Sequence, residues 1–504
     1  MVFKKVLKNL LIFLGILIAA FFILIGCLYF IPNATIFGIK FKKPNKSNQK
    51  FTLDSYFEEC ESITLNLGNV NLNIQPAEDE YREKSSLSFR DDIIGLIKSN
   101  KQNPSKERLT CDIKMEDKNL IIDFSAPEGW LFYKDTWATL SICQDWLETK
   151  SGNETNNKKL IINTNNAKVA VLTSALDIEF AEHYDTKFSY IEFNSTGKGT
   201  FELSDDVGGL KIHSGKGKST IKGLCDSLNY TTNKGELEFG LIGNLEANAK
   251  NSYVHGKLVA GRFNYIGGDG KIDIEQIGAH GAESEIVISG GYIAANINKL
   301  FGKVKLDTNK GNVKISNYET LDYYANEIKT GKAKIEVYNI NAVKLSLIST
   351  KGEIIASASG VGDLTISNNS AKTTFTGQNE NGAVFTGTLS VTSGNGEINL
   401  NKISSAVSAE TTGRGKINAE FTSTKNVSSL KTNKGKVSVK VNIAESLTIS
   451  AQSAKKKVIV NLQPIGIDMN DKSHAVKTIN IGGSDGTNQI NIYTAKADIE
   501  INQI

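Results

Sequence analysis

Few side chains in this chain have the types and spacing that catalysis or metal binding requires. The segment from Gly267 to Asp273 approaches a calcium-binding nonapeptide, but its second Asp falls one place late and the phrase is not repeated in tandem. The histidines are widely separated in sequence, and we interpret each as an isolated surface or strand residue. They are His183, His213, His255, His280 and His474. The sequence therefore predicts no catalytic residue, no metal site and no cofactor.

An enzyme that acts on glycans is the alternative function. Lyases and hydrolases built on β-helices need clustered carboxylates, or calcium together with a catalytic Arg or Lys. The acidic doublet Asp205-Asp206 precedes Val-Gly-Gly, which indicates a loop. Beyond residue 155 the chain has only Arg262 and Arg414, so an Arg-based mechanism has few candidates. This alternative requires carboxylates that converge from neighbouring repeats.

Lysines, in contrast, recur at one position of a repeated turn. Stacked repeats would align them along one edge about 5 Å apart, where their mutual repulsion would favour an anionic partner. Such a partner would be an anionic envelope glycan or a host surface ligand. The alternative is a solvated edge that discourages aggregation. The candidate ligand-binding residues are Lys198, Lys216, Lys234, Lys310, Lys332, Lys351 and Lys434.

These lysines belong to a phrase of Thr or Ser, Asn, Lys and Gly between two strands of alternating apolar residues. The last Gly of each turn, or the Ala that replaces it, marks one repeat. From Gly311 onward the markers follow each other at nearly constant intervals, with one longer step between Ala371 and Gly396. They are Gly311, Ala333, Gly352, Ala371, Gly396, Gly415, Gly435 and Ala454. The period is close to twenty, which is typical of a solenoid.

One such repeat cannot cover its own apolar face, whereas a copy stacked about 4.8 Å above it can. We therefore predict an all-β fold, a right-handed parallel β-solenoid or β-helix, with two inward columns. The first column is Val313, Ile335, Ile354, Ile398, Ile417 and Val437, and the second is Ile315, Val337, Leu400 and Val439. Antiparallel hairpins are the alternative, because Asn-Lys-Gly is also a hairpin turn. They do not require such regular spacing.

The N-terminus carries a candidate membrane anchor. Residues 10–31 contain no charged side chain and would span about 33 Å as a helix, with Lys4, Lys5 and Lys8 before them. This layout predicts a single-pass anchor with the body outside the cytoplasm. Lysines after the span, from Lys40 to Lys50, favour the opposite orientation. A lipidated Cys27 is the alternative anchor, because Leu24-Ile-Gly-Cys27 resembles a lipobox.

Composition shifts divide the chain into five predicted parts. These are an anchor (1–31), a stalk (32–55), a β-rich N-terminal cap region (56–155), the solenoid repeats (156–464) and C-terminal strands with a cap (465–504). Within the cap region we predict a short helix at 91–98 and an aromatic plug at the open solenoid end. All three tryptophans, Trp130, Trp137 and Trp146, lie in this region.

Charge and cysteine content narrow the partners further. The chain carries a formal charge of +4, of which residues 33–504 contribute +1, so no strong basic field attracts nucleic acid. Two of Cys60, Cys111 and Cys143 could form a disulfide bridge, and buried free thiols are the alternative.

Three segments resemble the bacterial putative-adhesin domain of the DUF4097 type. They are the opening phrase 63–74, the repeated Thr-x-x-Gly-x-Ile/Val phrase, and the closing strands within 479–501. The resemblance implies a membrane-attached, surface-exposed β-solenoid without enzymatic activity, in some cases linked to envelope stress. We accordingly expect a non-catalytic, adhesin-like binding or scaffolding module. An envelope-stress accessory protein is a further alternative.

Overall fold

The computed structural model describes residues 2–31, 34–77, 84–100, 104–132, 136–147, 158–171, 188–281, 284–320, 325–360, 362–379, 381–424, 426–463, 467–473, 476–482 and 487–504. It divides into two compact units, Met1–Gly223 and Leu224–Ile504. Strands dominate both units, and the described helices are α1 (Val2–Phe30), α2 (Asp54–Phe57) and α3 (Gln144–Leu147).

Helix α1 contains a segment, Leu10–Phe30, that is long and apolar enough to cross a membrane, with a mean hydropathy of 3.1. Its 21 residues correspond to about 31 Å of helix, close to the thickness of the hydrocarbon core. The helix ends at Phe30, shortly before Pro32, which cannot continue a helix because it lacks a backbone N–H.

The first unit contains fourteen described strands and the start of a fifteenth. They are β1 (Ile39–Lys42), β2 (Asn45–Thr52), β3 (Ser62–Gly68), β4 (Asn71–Pro76), β5 (Ser86–Asp91), β6 (Ile94–Lys98), β7 (Thr110–Glu116), β8 (Asn119–Ser125), β9 (Gly129–Phe132), β10 (Trp137–Ile142), β11 (Lys159–Thr164), β12 (Lys168–Val171), β13 (Phe188–Ser195), β14 (Thr200–Leu203) and β15 (Val207–Val259), which continues into the second unit.

Parallel coils, each made of two strands joined at a corner, begin earlier in the chain than predicted. The first coil is β3 and β4, and it pairs in parallel with β11 and β12, which pair in turn with β13 and β14. On its other side, β8 and β10 pair in parallel with β3 and β4. The antiparallel strands β7 and β5 then cover β8 and β10. The cap region therefore contains the first coil and its cover.

Two local predictions in this unit are wrong. Residues 39–52, predicted as part of a stalk, form β1 and β2, which pair antiparallel with β6 and β5. The helix predicted at 91–98 is replaced by β6. The reason is the same in both cases, since a strand from a distant part of the chain supplies backbone partners that local sequence does not reveal.

The second unit contains the remaining strands. They are β16 (Phe263–Ile277), β17 (Glu285–Phe301), β18 (Lys303–Lys310), β19 (Val313–Thr320), β20 (Asn326–Thr330), β21 (Ile335–Ala342), β22 (Lys344–Ser349), β23 (Ile354–Ala358), β24 (Asp363–Asn368), β25 (Thr373–Thr376), β26 (Thr388–Ser393), β27 (Ile398–Ile403), β28 (Ala406–Thr411), β29 (Ile417–Phe421), β30 (Val427–Thr432), β31 (Val437–Val441), β32 (Leu447–Ser453), β33 (Val458–Asn461), β34 (Ile467–Ser473), β35 (Val476–Ile481), β36 (Gln489–Thr494) and β37 (Ile499–Gln503).

From β18 to β29 each strand pairs in parallel with the strand two places further along, so each coil stacks on the next up to β30 and β31. The predicted first column is confirmed: Val313, Ile335 and Ile354 are consecutive partners, as are Ile398, Ile417 and Val437, with Thr373 completing the column. All are buried. The predicted hairpin alternative is not adopted over these coils.

The second column is also confirmed and shows how unequal side chains share one interior. Val337 is followed by Ala356, Phe375 and Leu400 in consecutive coils. All four side chains are buried to within about one per cent exposure. The small Ala356 next to the large Phe375 conserves volume, because close-packed interiors tolerate neither a void nor an overlap.

The C-terminal strands interrupt the sequential stacking order. Strands β36 and β37 pair in parallel with β30 and β31 on one side and with β32 and β33 on the other. The last coil of the chain is thus inserted between two coils that are consecutive in sequence. Strand β35 then pairs antiparallel with β32, and β34 with β35. The sequence-based expectation that the Ala454 turn stacks directly on the Gly435 turn is therefore wrong.

Candidate binding surface

A buried Thr or Ser hydroxyl forms a hydrogen bond within the corner that joins the two strands of a coil. Thr330 Oγ1 donates to the Ala333 carbonyl at 2.8 Å, Ser393 Oγ to Gly396 at 3.0 Å, and Thr411 Oγ1 to Gly415 at 2.9 Å. Each hydroxyl satisfies a turn carbonyl that would otherwise be buried without a partner. This is the physical reason for the Thr or Ser that opens the repeated phrase.

At Gly435, glycine at the end of the corner is favoured by the neighbouring coil. A Cβ added to Gly435 would overlap the carbonyl oxygen of Gly415, and neither residue has a positive φ. Close approach of backbone to backbone, rather than an unusual dihedral angle, therefore selects glycine at this position. The Lys side chain, which lies between the hydroxyl residue and the glycine, is exposed to solvent.

Three of the predicted lysines form a continuous group, which we call the first basic row: Lys310, Lys332 and Lys351. The backbone N–H of Lys332 donates to the Asn309 carbonyl at 2.7 Å, and that of Lys351 to Gly331 at 2.8 Å. All three side chains are exposed. The row ends in both directions, because Tyr292 pairs with Lys310 on one side and Ser370 occupies the next corner on the other.

Lys434, another of the predicted lysines, belongs to a longer group that the sequence analysis did not identify. The inserted coil places Lys496 two residues beyond Thr494, which pairs with Thr432, and places Lys455 two residues beyond Ser453, which pairs with Thr494. On the other side, the Lys434 N–H donates to the Gly413 carbonyl at 3.0 Å, beside Arg414. The second basic row is Arg414, Lys434, Lys496 and Lys455, all exposed.

The other three predicted lysines do not extend these rows. Lys198 and Lys216 lie on adjacent corners of the first unit, where the Lys216 N–H donates to the Gly197 carbonyl at 2.7 Å. Lys234 lies in β15 of the second unit. The corners that precede Lys310 carry Asn251, Asp269 and Tyr292 as consecutive partners, so Lys234 is separated from the first basic row. Whether any of the seven lysines binds a ligand remains a prediction.

Two lysines that lie two residues beyond the corner position, Lys334 and Lys436, have a different electrostatic environment. Lys334 Nζ lies 3.0 Å from a Glu336 carboxylate oxygen and 3.8 Å from one of Glu353, and Lys436 Nζ lies 2.5 Å from Glu500. The hydrogen bond to Glu336 raises the pKa of Lys334. Among the residues that the structure describes, no such ion pair involves either basic row. Within the described part of the chain, the cations of both rows therefore have no carboxylate at ion-pair distance.

The sequence analysis also did not identify a group of side chains that could bind a metal ion. Glu236, Glu238 and His255 are half-buried, and one potential ligand atom of each lies within 4.8 Å of the others. The coil spacing was the available signal, since His255 follows Glu238 by nearly the length of one coil. A zinc ion holds its ligands at about 2.0–2.2 Å, which requires somewhat closer approach. In the present geometry His255 Nε2 and Glu238 form a contact of 3.7 Å, and Tyr253 stacks on the imidazole ring.

The other candidate residues from the sequence lie apart from one another within the described part of the chain. Asp273 of the glycine-rich phrase pairs with Lys271 at 3.5 Å and accepts from Asn296 at 2.9 Å. His280 contacts Glu319 at 3.1 Å, His213 is exposed within β15, and His183 and His474 lie outside the described residues.

All five cysteines are free thiols, of which Cys60, Cys143 and Cys225 are buried. Of the three tryptophans, Trp146 alone is buried, and it packs edge-on against Phe57 and Phe188. Trp130 and Trp137 are exposed, so the predicted aromatic plug is reduced to Trp146.

The fold is similar to several solved structures. No family model matches the chain, and no curated protein does. A putative cell adhesion protein from Clostridium sporogenes is 10% identical, with 92% of this chain and 100% of that chain covered and a TM-score of 0.15. A putative adhesin from Parabacteroides distasonis is 12% identical, with 74% and 95% covered and a TM-score of 0.18. One from Bacteroides fragilis is 9% identical, with 92% and 100% covered and a TM-score of 0.18.

These structures bear the names of putative adhesion proteins. Their TM-scores and identities are too low to transfer a ligand or a residue's role to this chain.

Proposed function

We propose that this protein is a membrane-anchored, non-catalytic, adhesin-like module of the bacterial envelope that binds anionic polymers. The supporting observation is the pair of basic rows, whose cations have no carboxylate partner within the described residues, whereas the nearby Lys334 and Lys436 do. If these cations served only to keep the protein soluble, charges in ion pairs would serve equally well. Unpaired cations in register instead favour a ligand whose negative charges also repeat.

The cations of each row repeat at a short interval along the edge of the coils. Coils follow each other at about 4.8 Å, so a flexible polyanion of the teichoic acid or acidic glycan class could contact several cations of one row at once. Because the Debye length is about 8 Å at physiological salt, neighbouring cations in one row act together on the same segment of ligand. We take the coils to wind in the right-handed sense usual for parallel crossovers.

Helix α1 would hold this surface at a membrane. Lys4, Lys5 and Lys8 precede the apolar segment and favour a cytoplasmic N-terminus, with the body outside the cell. Long domains cross membranes largely regardless of their charge, so the lysines after the span do not oppose this orientation strongly. A single-pass anchor places both basic rows where envelope polymers occur.

The test combines topology with binding. Intact cells producing the full chain are treated with protease, and detergent-solubilised full chain is passed over an immobilised polyanion such as dextran sulfate. We expect release of the body from intact cells and salt-sensitive retention of the protein. Protection of the body until lysis would contradict the proposed orientation, and elution with the void volume at physiological salt would contradict polymer binding.

A further inference from the structure

A small sheet of the first unit exposes its apolar face and buries its charged face, which is the reverse of an ordinary surface sheet. Strands β1, β6 and β9 form a separate antiparallel sheet. In its register Phe41 and Trp130 both pair with Leu96, and Phe132 pairs with Ile94. Paired residues of adjacent strands share a face, so one face of this sheet is apolar across all three strands.

That apolar face points away from the protein. Trp130 is 71% and Phe132 69% exposed, and Ile94 and Ile39 are exposed as well. The opposite face is directed inward, where Ile97 is buried beside the ion pair of Lys42 with Asp91, 2.7 Å long and almost fully buried. A sheet that buries an ion pair and exposes its aromatic side chains is costly in water. Such a face is more stable against an apolar partner than against water.

The face is continuous with the apolar surface of helix α1. The Trp130 ring lies 6.3 Å from that of Phe21, and the Phe41 ring 5.1 Å from that of Tyr29. Phe21 lies nine residues before the end of the helix, or about 13 Å along its axis. Whatever surrounds the last turns of α1 therefore also meets the outward face of the sheet.

A cationic cavity lies at the end of the same helix. It has a volume of about 590 Å³ and is lined by Leu28 and Ile31 together with Lys40, Lys42, Lys43 and Arg108, and by the carboxylates Asp91 and Glu107. Lys40 pairs with Glu107 and Lys42 with Asp91. Lys43 lies over the Tyr29 ring at 5.1 Å, and within the described part of the chain neither Lys43 nor Arg108 forms an ion pair.

We propose that the outward face of this sheet contacts lipid along the C-terminal half of α1, with acyl chains beside Trp130 and lipid phosphate groups beside Lys43 and Arg108. This inference rests on the proposed anchoring by α1. Aromatic side chains concentrate at the boundary between hydrocarbon and headgroups, and cations next to them attract anionic lipids.

The tryptophans of the chain provide a direct test. The full chain is reconstituted into vesicles containing phosphatidylcholine brominated on the acyl chains, which quenches indole fluorescence on contact. We expect quenching in the wild type, loss of most of it in Trp130→Phe, and no change in Trp137→Phe, the matched control whose indole lies in a different sheet. Equal quenching in the wild type and Trp130→Phe would overturn the proposal. So would an unquenched Trp130, since the face would then be covered by a second copy or another protein.

Flotation of the same vesicles separates this inference from the anchoring on which it rests. Protein that fails to float with the lipid contradicts the anchor itself, whereas protein that floats without Trp130 quenching contradicts only the placement of the sheet. A comparison of two lipids tests the contact with lipid phosphate groups. Quenching by brominated phosphatidylglycerol should exceed that by brominated phosphatidylcholine, and Lys43→Gln with Arg108→Gln should remove the difference. No preference in the wild type would overturn the phosphate contact.

Discussion

Removal of the second basic row should weaken polyanion binding far more than removal of the same charge elsewhere. The perturbation is the simultaneous replacement of Arg414, Lys434, Lys496 and Lys455 by Gln. Each cation close to an anionic surface contributes roughly a fivefold factor in affinity, so four contribute several hundredfold before screening. Salt at about 0.15 M reduces this, and we expect a loss of about 10- to 100-fold. The salt dependence of binding should also become shallower.

The matched control removes four lysines from the row two residues further on. Lys372, Lys416, Lys436 and Lys457 are replaced by Gln, which changes the net charge by the same amount; three of these lysines lie on coils of the second basic row, and Lys372 lies two coils before Arg414. Both variants are titrated against dextran sulfate at several salt concentrations, after circular dichroism has shown equal thermal stability. A control that loses as much affinity as the row variant would refute the reasoning, because net charge rather than register would then explain binding.

Three further predictions concern stability and the thiols. Phe375→Ala should lower the free energy of unfolding by about 3–5 kcal/mol, because Ala356 and the neighbouring coil cannot fill the void; chemical denaturation that gives less than about 1 kcal/mol would contradict the shared column. Gly435→Ala should lower the melting temperature, since its Cβ would overlap the Gly415 carbonyl, and an unchanged value would show that the corner yields easily. Burial raises the pKa of Cys225 from 9.0 to about 12, so stability should fall as pH rises from 9 towards 12, where only the unfolded thiol ionises; rapid alkylation of the native protein at pH 8, read by mass spectrometry, would contradict this.

The coil interior could be predicted from sequence because two periods agree. Alternation in strands such as Ile398–Leu400 identifies the buried face, and the regular spacing of the turns identifies the partner one coil away. The columns from Val313 to Val437 follow from these two facts alone. The small residue Ala356 beside the large Phe375 could not be anticipated, because volume is shared between coils rather than set within one.

The order of the last coils and the N-terminal strands could not be predicted. The step from Gly435 to Ala454 is as long as the steps before it, and no local signal shows that residues 489–503 enter between these turns. Similarly, Ile39–Lys42 has two lysines and two apolar residues, and its partner lies far along the chain, at Gly95 to Lys98. The second basic row depends on the inserted coil and so was incomplete in the sequence analysis.

The stacking order of the last coils is the central structural claim, because it assembles the second basic row. Cysteine pairs at the corners measure it directly: Lys434→Cys with Lys496→Cys, Lys496→Cys with Lys455→Cys, and Lys434→Cys with Lys455→Cys. Adjacent corners lie about 5 Å apart and alternate ones about 10 Å, so under mild oxidation the first two pairs should crosslink and the third should not. Preferential crosslinking of the 434 and 455 pair, identified by peptide mapping, would contradict the inserted coil and the row built on it.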